Sequence, residues 1–125
     1  MTSQQLSTIS SVGGELPDRW RSDIQAQLSQ GENVVSALEV DLDQQLRFAK
    51  GVIVITATRL LARAPGRDQW QSWPFSADLS LRHHDHAGVG HLELVGQGGR
   101  LAAWRFTLGQ NLNAIRLVEQ FGAHR

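Results

Sequence analysis

Several residue types and patterns are missing from this sequence of 125 residues, and each absence narrows what the chain can be. It has no cysteine, which fits a reducing compartment and excludes disulfides as a source of stability. Lys50 is the single lysine among 12 Lys plus Arg residues. Chemistry that requires a lysine, such as a Schiff base or the phosphate grip of a P-loop, is therefore disfavoured.

The chain also has no excess of positive or negative charge, because 12 Lys plus Arg balance 12 Asp plus Glu and give a formal net charge of +0. A neutral chain has no overall field that would draw it to nucleic acid or to an anionic membrane. No apolar run approaches the roughly 18 residues that a membrane span needs, and the N-terminus lacks the basic start and apolar core of a signal peptide. We expect a cytoplasmic domain that does not bind nucleic acid.

Size and composition indicate one globular domain. A chain of 125 residues with 41% apolar and 19% charged residues has enough apolar surface for one core but not for two independent cores. Residues 1–14 are an exception, because they are rich in Ser, Thr and Gln and end in two glycines. We predict a flexible N-terminal tail over residues 1–14 and a single domain over residues 15–125.

Hydrophobic periodicity predicts a short helix followed by strands. After Pro17, apolar residues recur every four positions at Trp20, Ile24 and Leu28, a narrow stripe typical of a helix lying on a surface. Residues 34–40 then alternate with a period of two, so Val34, Ser36, Leu38 and Val40 are predicted to share one face. The β-branched run 52–56 favours a strand buried on both faces.

The rest of the chain continues this pattern. Turn signals separate predicted strands at residues 59–64, 70–75, 79–86, 91–95 and 101–108. From Asn111 onward a wide apolar arc predicts a helix that packs on a large apolar surface. The expected fold is mainly β, a bent antiparallel sheet or small barrel of about seven strands, capped by a C-terminal amphipathic helix and preceded by a short N-terminal helix.

A histidine-rich segment is the one place where the pattern indicates chemistry. If residues 87–90 form a hairpin loop, His86 lies opposite His91 and His84 opposite Glu93, so all four side chains project from one face. Imidazoles and a carboxylate on a rigid sheet are ligands for zinc. We therefore name His84, His86, His91 and Glu93 as candidate metal ligands. Leu79, Leu81, Leu92 and Leu94 would take the core side, together with His83 and Asp85.

A solvated polar surface explains the same histidine and glutamate residues without a metal, and both interpretations remain open. No spacing of Ser, His and Asp indicates an activated nucleophile, so no catalytic residue is predicted. Residues 88–90 and 96–99 are glycine-rich, but neither segment leads into a helix that could hold a phosphate. We expect these segments to be turns, and we expect no cofactor other than zinc.

Several strings of residues resemble a known family. Residues 51–56 (GVIVIT), 59–61 (RLL) and 72–75 (SWPF) resemble bacterial PH-like domains. More narrowly, residues 46–51 (LRFAKG), 60–66 (LLARAPG), 81–86 (LRHHDH) and 104–109 (WRFTLG) resemble the N-terminal domain of ABC-type exporters associated with cyanophycin metabolism. The resemblance extends from about Pro17 to His124.

This resemblance implies a seven-stranded barrel capped by one C-terminal helix. It also implies a non-catalytic interaction or regulatory module at the inner face of a membrane, with a protein partner or a second copy as its contact. Transport and ATP hydrolysis would belong to parts of the exporter that this chain does not contain. A small metal-binding protein or metal-dependent enzyme is the alternative that the histidine cluster keeps open.

Binding to a membrane surface is a third hypothesis, because PH domains often bind lipid head groups. The resemblance places such a site at a basic loop between the first two strands. Here that loop, predicted at residues 41–45, carries Asp41 and Asp43 where cations would be needed, although Arg47 and Lys50 lie close by in sequence. Direct lipid binding is therefore disfavoured.

Overall fold

The structure is a computed structural model that describes residues 16–124. It contains seven strands and two helices. The predicted tail, residues 1–14, lies outside the described residues. In chain order the elements are a 3₁₀ turn (Asp18–Trp20), α1 (Arg21–Gln27), β1 (Val34–Leu42), β2 (Phe48–Thr56), β3 (Arg59–Arg63), β4 (Trp70–Pro74), β5 (Ser80–His86), β6 (Val89–Gly96), β7 (Gly99–Thr107), a second 3₁₀ turn (Leu108–Gln110) and α2 (Asn111–His124).

The strands form one antiparallel sheet in the order β4-β3-β2-β1-β7-β6-β5. This confirms the expected mainly β fold with about seven strands, a short N-terminal helix and a C-terminal helix. The sheet is not closed, because β4 and β5 remain at its two edges. Pro74 ends the edge strand β4, a position where the missing N–H of proline breaks no ladder.

The two halves of the sheet meet at a narrow seam between β1 and β7. Among the described residues, the ladder of this seam pairs Leu42 with Arg105 and nothing else. Asp41 strengthens it, because its carboxylate accepts hydrogen bonds from the Thr107 backbone N–H at 2.8 Å and the Thr107 hydroxyl at 2.6 Å. The remaining strand pairs in each half are joined by longer ladders.

The main core lies on the inner face of the bent sheet and under α2. Buried side chains from both halves contribute to it, and the helix adds Ala114, Leu117 and Phe121. Its members from the strands and the loop before β5 are Leu38, Val40, Ile53, Ile55, Leu60, Ala62, Leu79, Leu81, Leu92, Leu94, Trp104 and Phe106. Because α2 contacts β1, β2 and β5, it holds the two halves of the sheet together.

A second, smaller core lies on the outer face of β1–β3. The apolar stripe of α1 covers this face, and Trp20 and Ile24 are buried against Val52, Val54 and Leu61. The short helix therefore packs on this domain. Because α1 covers the outer face and the main core covers the inner face, the β-branched run of β2 is buried on both faces, as the sequence predicted.

One β-bulge changes the predicted faces of β1. The register shifts between Val34 and Ser36, and the extra residue reverses the alternation at that point. Val34 therefore belongs to the outer core, whereas Leu38 and Val40 face the inner core. The prediction that Val34 shares a face with Leu38 was wrong, since period-two alternation cannot anticipate a bulge.

The apolar arc of α2 is wider than the surface that it covers. Ala114, Leu117 and Phe121 are buried, but Leu112 is 60% exposed and Ile115 is 39% exposed. The expectation that the whole arc packs against the sheet was therefore wrong for these two residues. A flat contact between a helix and a sheet buries a stripe of the helix and leaves residues beside that stripe in solvent.

Candidate functional site

The hairpin β5–β6 carries the predicted metal ligands. Its turn is formed by Ala87 (φ 54°) and Gly88 (φ 81°), so the loop has two residues rather than the four that were predicted. His84 pairs with His91, and His86 pairs with Val89. The predicted pairing was wrong by two residues. Alanine rarely adopts a positive φ, so its presence at position 87 does not indicate a two-residue turn.

A shift of two residues preserves the faces of both strands, since side chains alternate with a period of two. His84, His86, His91 and Glu93 therefore still project to the outer side of the sheet. The opposite side holds four buried leucines, as predicted: Leu79, Leu81, Leu92 and Leu94.

The two residues predicted to face inward behave differently. His83 is half-buried, its Nε2 lies 2.7 Å from Asn111 Oδ1 at the start of α2, and its ring stacks on Phe106 at 6.1 Å. Asp85 lies on the same side of β5 as His83, as predicted, but its side chain is exposed rather than buried in the core. It pairs with Gly90 at the end of the hairpin, where a carboxylate retains its hydration at no cost to the core.

The His84 and His91 rings are stacked across the two strands. Their centroids lie 4.8 Å apart and their planes differ by 2°. Burial lowers the pKa of His91, and the neighbouring His84, Arg105 and His86 lower it further, while Glu93 acts in the opposite sense. The lowered pKa favours the neutral form of the His91 ring, which is the form that can donate a lone pair.

The other two candidate ligands are not gathered around this pair. Glu93 lies opposite Arg82, and its Oε2 is 3.2 Å from Arg100 Nη1. His86 is exposed at the end of β5. Within residues 16–124, no group of three or more His, Asp or Glu side chains is already arranged to hold a metal ion.

A loop between β1 and β2 was predicted to be too acidic for lipid head groups. Asp41 lies in β1 rather than in the loop, and its carboxylate is used by Thr107. Asp43 accepts hydrogen bonds from the Arg47 and Gln45 backbone N–H groups at 3.0 and 2.9 Å, and the first of these is the main cause of its lowered pKa. Both carboxylates therefore serve the local structure.

This loop borders a groove of about 620 Å³. The opposite wall is the turn between β3 and β4, so Arg47 and Arg67 approach the groove from two sides. Close to it, Phe48 is 84% exposed and Leu46 is 50% exposed. Sequence reasoning did not single out these two exposed apolar residues.

A stripe of exposed apolar residues runs from the second 3₁₀ turn onto the outer side of α2. It consists of Leu108 in the turn and of Leu112 and Ile115 in the helix, which are 45%, 60% and 39% exposed. Leu112 and Ile115 are three residues apart, which is the spacing of neighbours on one helix face. We call these three residues the α2 stripe.

Two buried carboxylates that the sequence did not single out anchor α1 and the loop after it. Glu39 on β1 is 5% exposed and accepts hydrogen bonds from Trp20 Nε1 at 2.7 Å and from Arg19. Glu32 forms a two-point ion pair with Arg59 on β3, with both N–O distances at 2.8 Å. The Arg59 hydrogen bond is the main cause that lowers the pKa of Glu32 to about 2.

Comparisons of the chain with protein-family models, with curated proteins and with solved structures find no match. Across residues 16–124, neither helix has the length and apolar character needed to cross a bilayer.

Proposed function

We propose that this chain is a non-catalytic PH-like interaction module, which acts as the regulatory N-terminal domain of an ABC-type exporter. The observation that carries the proposal is the arrangement of the elements: seven antiparallel strands in one bent sheet, followed directly by a helix that packs across both halves. The strings that resemble the exporter domains occupy β2, β3, β5 and the end of β7 in this arrangement.

The α2 stripe supports a role in protein contact. Apolar side chains that are clustered on one face and left in solvent are typical of surfaces that meet a partner. The proposed partner is another part of the same exporter. Attachment to that exporter would place the domain at the inner face of the membrane.

The first test concerns the genetic context. The reading frame beyond the codon for Arg125 is expected to encode membrane-spanning helices and then a nucleotide-binding domain with a P-loop. A frame that ends at this codon, or that continues into an unrelated domain, would overturn the exporter assignment.

The second test concerns regulation in the full-length exporter. The double variant Leu112→Ser/Ile115→Ser is expected to change the ATPase rate at least threefold, because it removes the apolar contact. Leu101→Ser is the matched control, since Leu101 is also apolar and exposed but lies on β7. Equal rates for the double variant and the control would contradict a regulatory contact through α2.

Direct lipid binding remains disfavoured by the acidic residues near the β1–β2 loop. Flotation with vesicles containing anionic lipid is expected to leave the isolated domain in solution. Co-flotation that is lost in Phe48→Ser would show instead that the exposed side chains at this loop insert into a membrane.

A further inference from the structure

We propose that the outer face of the β5–β6 hairpin is a zinc site, in which His84 and His91 bind the ion first and His86 supplies a third imidazole. This site is separate from the α2 stripe and does not depend on the exporter assignment. The ligand class is a divalent transition-metal ion that prefers nitrogen donors.

The cross-strand pair is the foundation of the site. His84 and His91 are directly paired in the ladder, and their parallel rings lie 4.8 Å apart. Tetrahedral zinc with Zn–N bonds of about 2.05 Å requires two nitrogens roughly 3.3 Å apart. The 4.8 Å distance joins ring centres, and the lone pairs of parallel rings point in parallel directions, so both side chains must turn to other rotamers before their nitrogens face one ion.

His86 is the third ligand of the proposed site, although it is not gathered with the His84–His91 pair before an ion binds. It lies two residues beyond His84 on the same strand, so both side chains leave the sheet on the same face. Its partner across the ladder is Val89, and its side chain is exposed, so no hydrogen bond in the described structure must break when it turns. Two histidines on one strand and a third on its antiparallel neighbour then surround one point, and water fills the fourth position.

Glu93 is assigned a different role from the one predicted. Arg82 lies opposite it and Arg100 is 3.2 Å from its carboxylate, so it balances these cations. Arg105 lies opposite His91 on β7, and its Nη1 is 2.7 Å from the Gln44 carbonyl oxygen. A cationic side chain on the residue paired with His91 repels a metal cation, and we therefore expect weaker zinc binding than at a site without it.

Calorimetric titration of the untagged protein with zinc chloride tests the site. The expected result is one ion per chain, with no measurable binding of Mg²⁺, which prefers oxygen ligands. His84→Ala and His91→Ala are each expected to weaken zinc binding at least tenfold, and His86→Ala about threefold. Imidazole NMR signals of these three residues should shift together as zinc is added.

Two controls separate this site from general histidine binding. His124→Ala removes an exposed histidine on α2, and Glu93→Gln removes the neighbouring carboxylate; both are expected to leave the zinc affinity within twofold of wild type. Circular dichroism of each variant shows whether it is folded. A folded His84→Ala or His91→Ala protein that binds zinc as tightly as wild type would overturn the proposal, as would saturation well below one ion per chain.

Discussion

The outer faces of the two halves of the sheet are opposite in character. On β1–β3 the outer face is apolar and covered by α1, whereas on β5–β7 it carries histidine, arginine and glutamate, and no helix of residues 16–124 lies over it. The inner faces of both halves, by contrast, join in one core. The type of residue that points outward thus differs between the half that a helix covers and the half that it leaves uncovered.

The covered half also shows how a short helix is held in place. The seven residues of α1 are too few for a stable isolated helix. Apolar burial of Ile24 and the hydrogen bond from Trp20 to Glu39 supply what the helix itself lacks. Arg63 adds a cation–π contact 5.1 Å from the centre of the Trp20 ring.

Removing the apolar contact of α1 should lower the free energy of unfolding more than any other substitution considered below. Ile24→Ala is expected to lower the free energy of unfolding by about 3 kcal/mol, because Ile24 is 0% exposed and its loss leaves a cavity. Ile115→Ala on the partly exposed side of α2 should cost less than about 1 kcal/mol. Urea denaturation measures both, and equal effects would show that α1 is not part of the folded unit.

Acid should weaken the covered half through Glu32. Its folded pKa of about 2 lies below the ordinary glutamate pKa of 4.5, so the stabilisation is fully present above pH 4.5 and is lost as the pH falls towards 2. After allowance for solvent screening, we expect about 2 kcal/mol of the acid-induced loss to come from this group.

Glu32→Gln should therefore flatten the pH dependence of the unfolding free energy between pH 5 and pH 2. Glu119→Gln, which alters an exposed glutamate on α2, is the matched control and should leave the curve unchanged. Thermal denaturation at a series of pH values provides the measurement. Parallel curves for wild type and Glu32→Gln would contradict the role given to the Arg59 ion pair.

Substitutions in the turn of the β5–β6 hairpin should change the free energy of unfolding by a smaller amount. Ala87 has a φ of 54°, a conformation that costs alanine more than asparagine. Ala87→Asn should raise the free energy of unfolding by about 0.5 kcal/mol, while Gly88→Ala should lower it by about 1 kcal/mol. Chemical denaturation of the pair would show effects of the same sign if the turn were not of this type.

The uncovered face itself should be nearly neutral for stability. His84→Ala and Glu93→Gln are each expected to change the free energy of unfolding by less than about 0.5 kcal/mol, since neither side chain fills a core. Denaturant midpoints measure this directly. A loss above 1 kcal/mol from either variant would mean that the face has a structural role comparable to that of the covered half.

Strong local patterns made much of this fold predictable. The alternation in β5 and β6 correctly separated the four buried leucines from the outward histidines, and the β-branched run in β2 was correctly identified as buried on both sides. In each case the property depends on residues close in sequence and on a period that the strand itself imposes.

The errors arose where distant residues or special backbone angles decide the outcome. Asp41 reads as a turn residue, but Thr107, 66 positions further along, holds it in β1. The positive φ of Ala87 shifted the hairpin register, and the bulge near Ser36 moved Val34 to the other core. The stacking of His84 on His91 followed from the observed register and could not be obtained from the predicted one.

The seam between the two halves has a consequence for the order of events in folding. Its single ladder pair joins Leu42 to Arg105, which are far apart in sequence, whereas the hairpins on either side pair near neighbours. Closing a long loop is slower than closing a short one, and it costs more chain entropy. The two halves of the sheet should therefore form first, and α2 should then pack against both of them. Amide protons at the seam should exchange with solvent before those in the middle of β2 or β6.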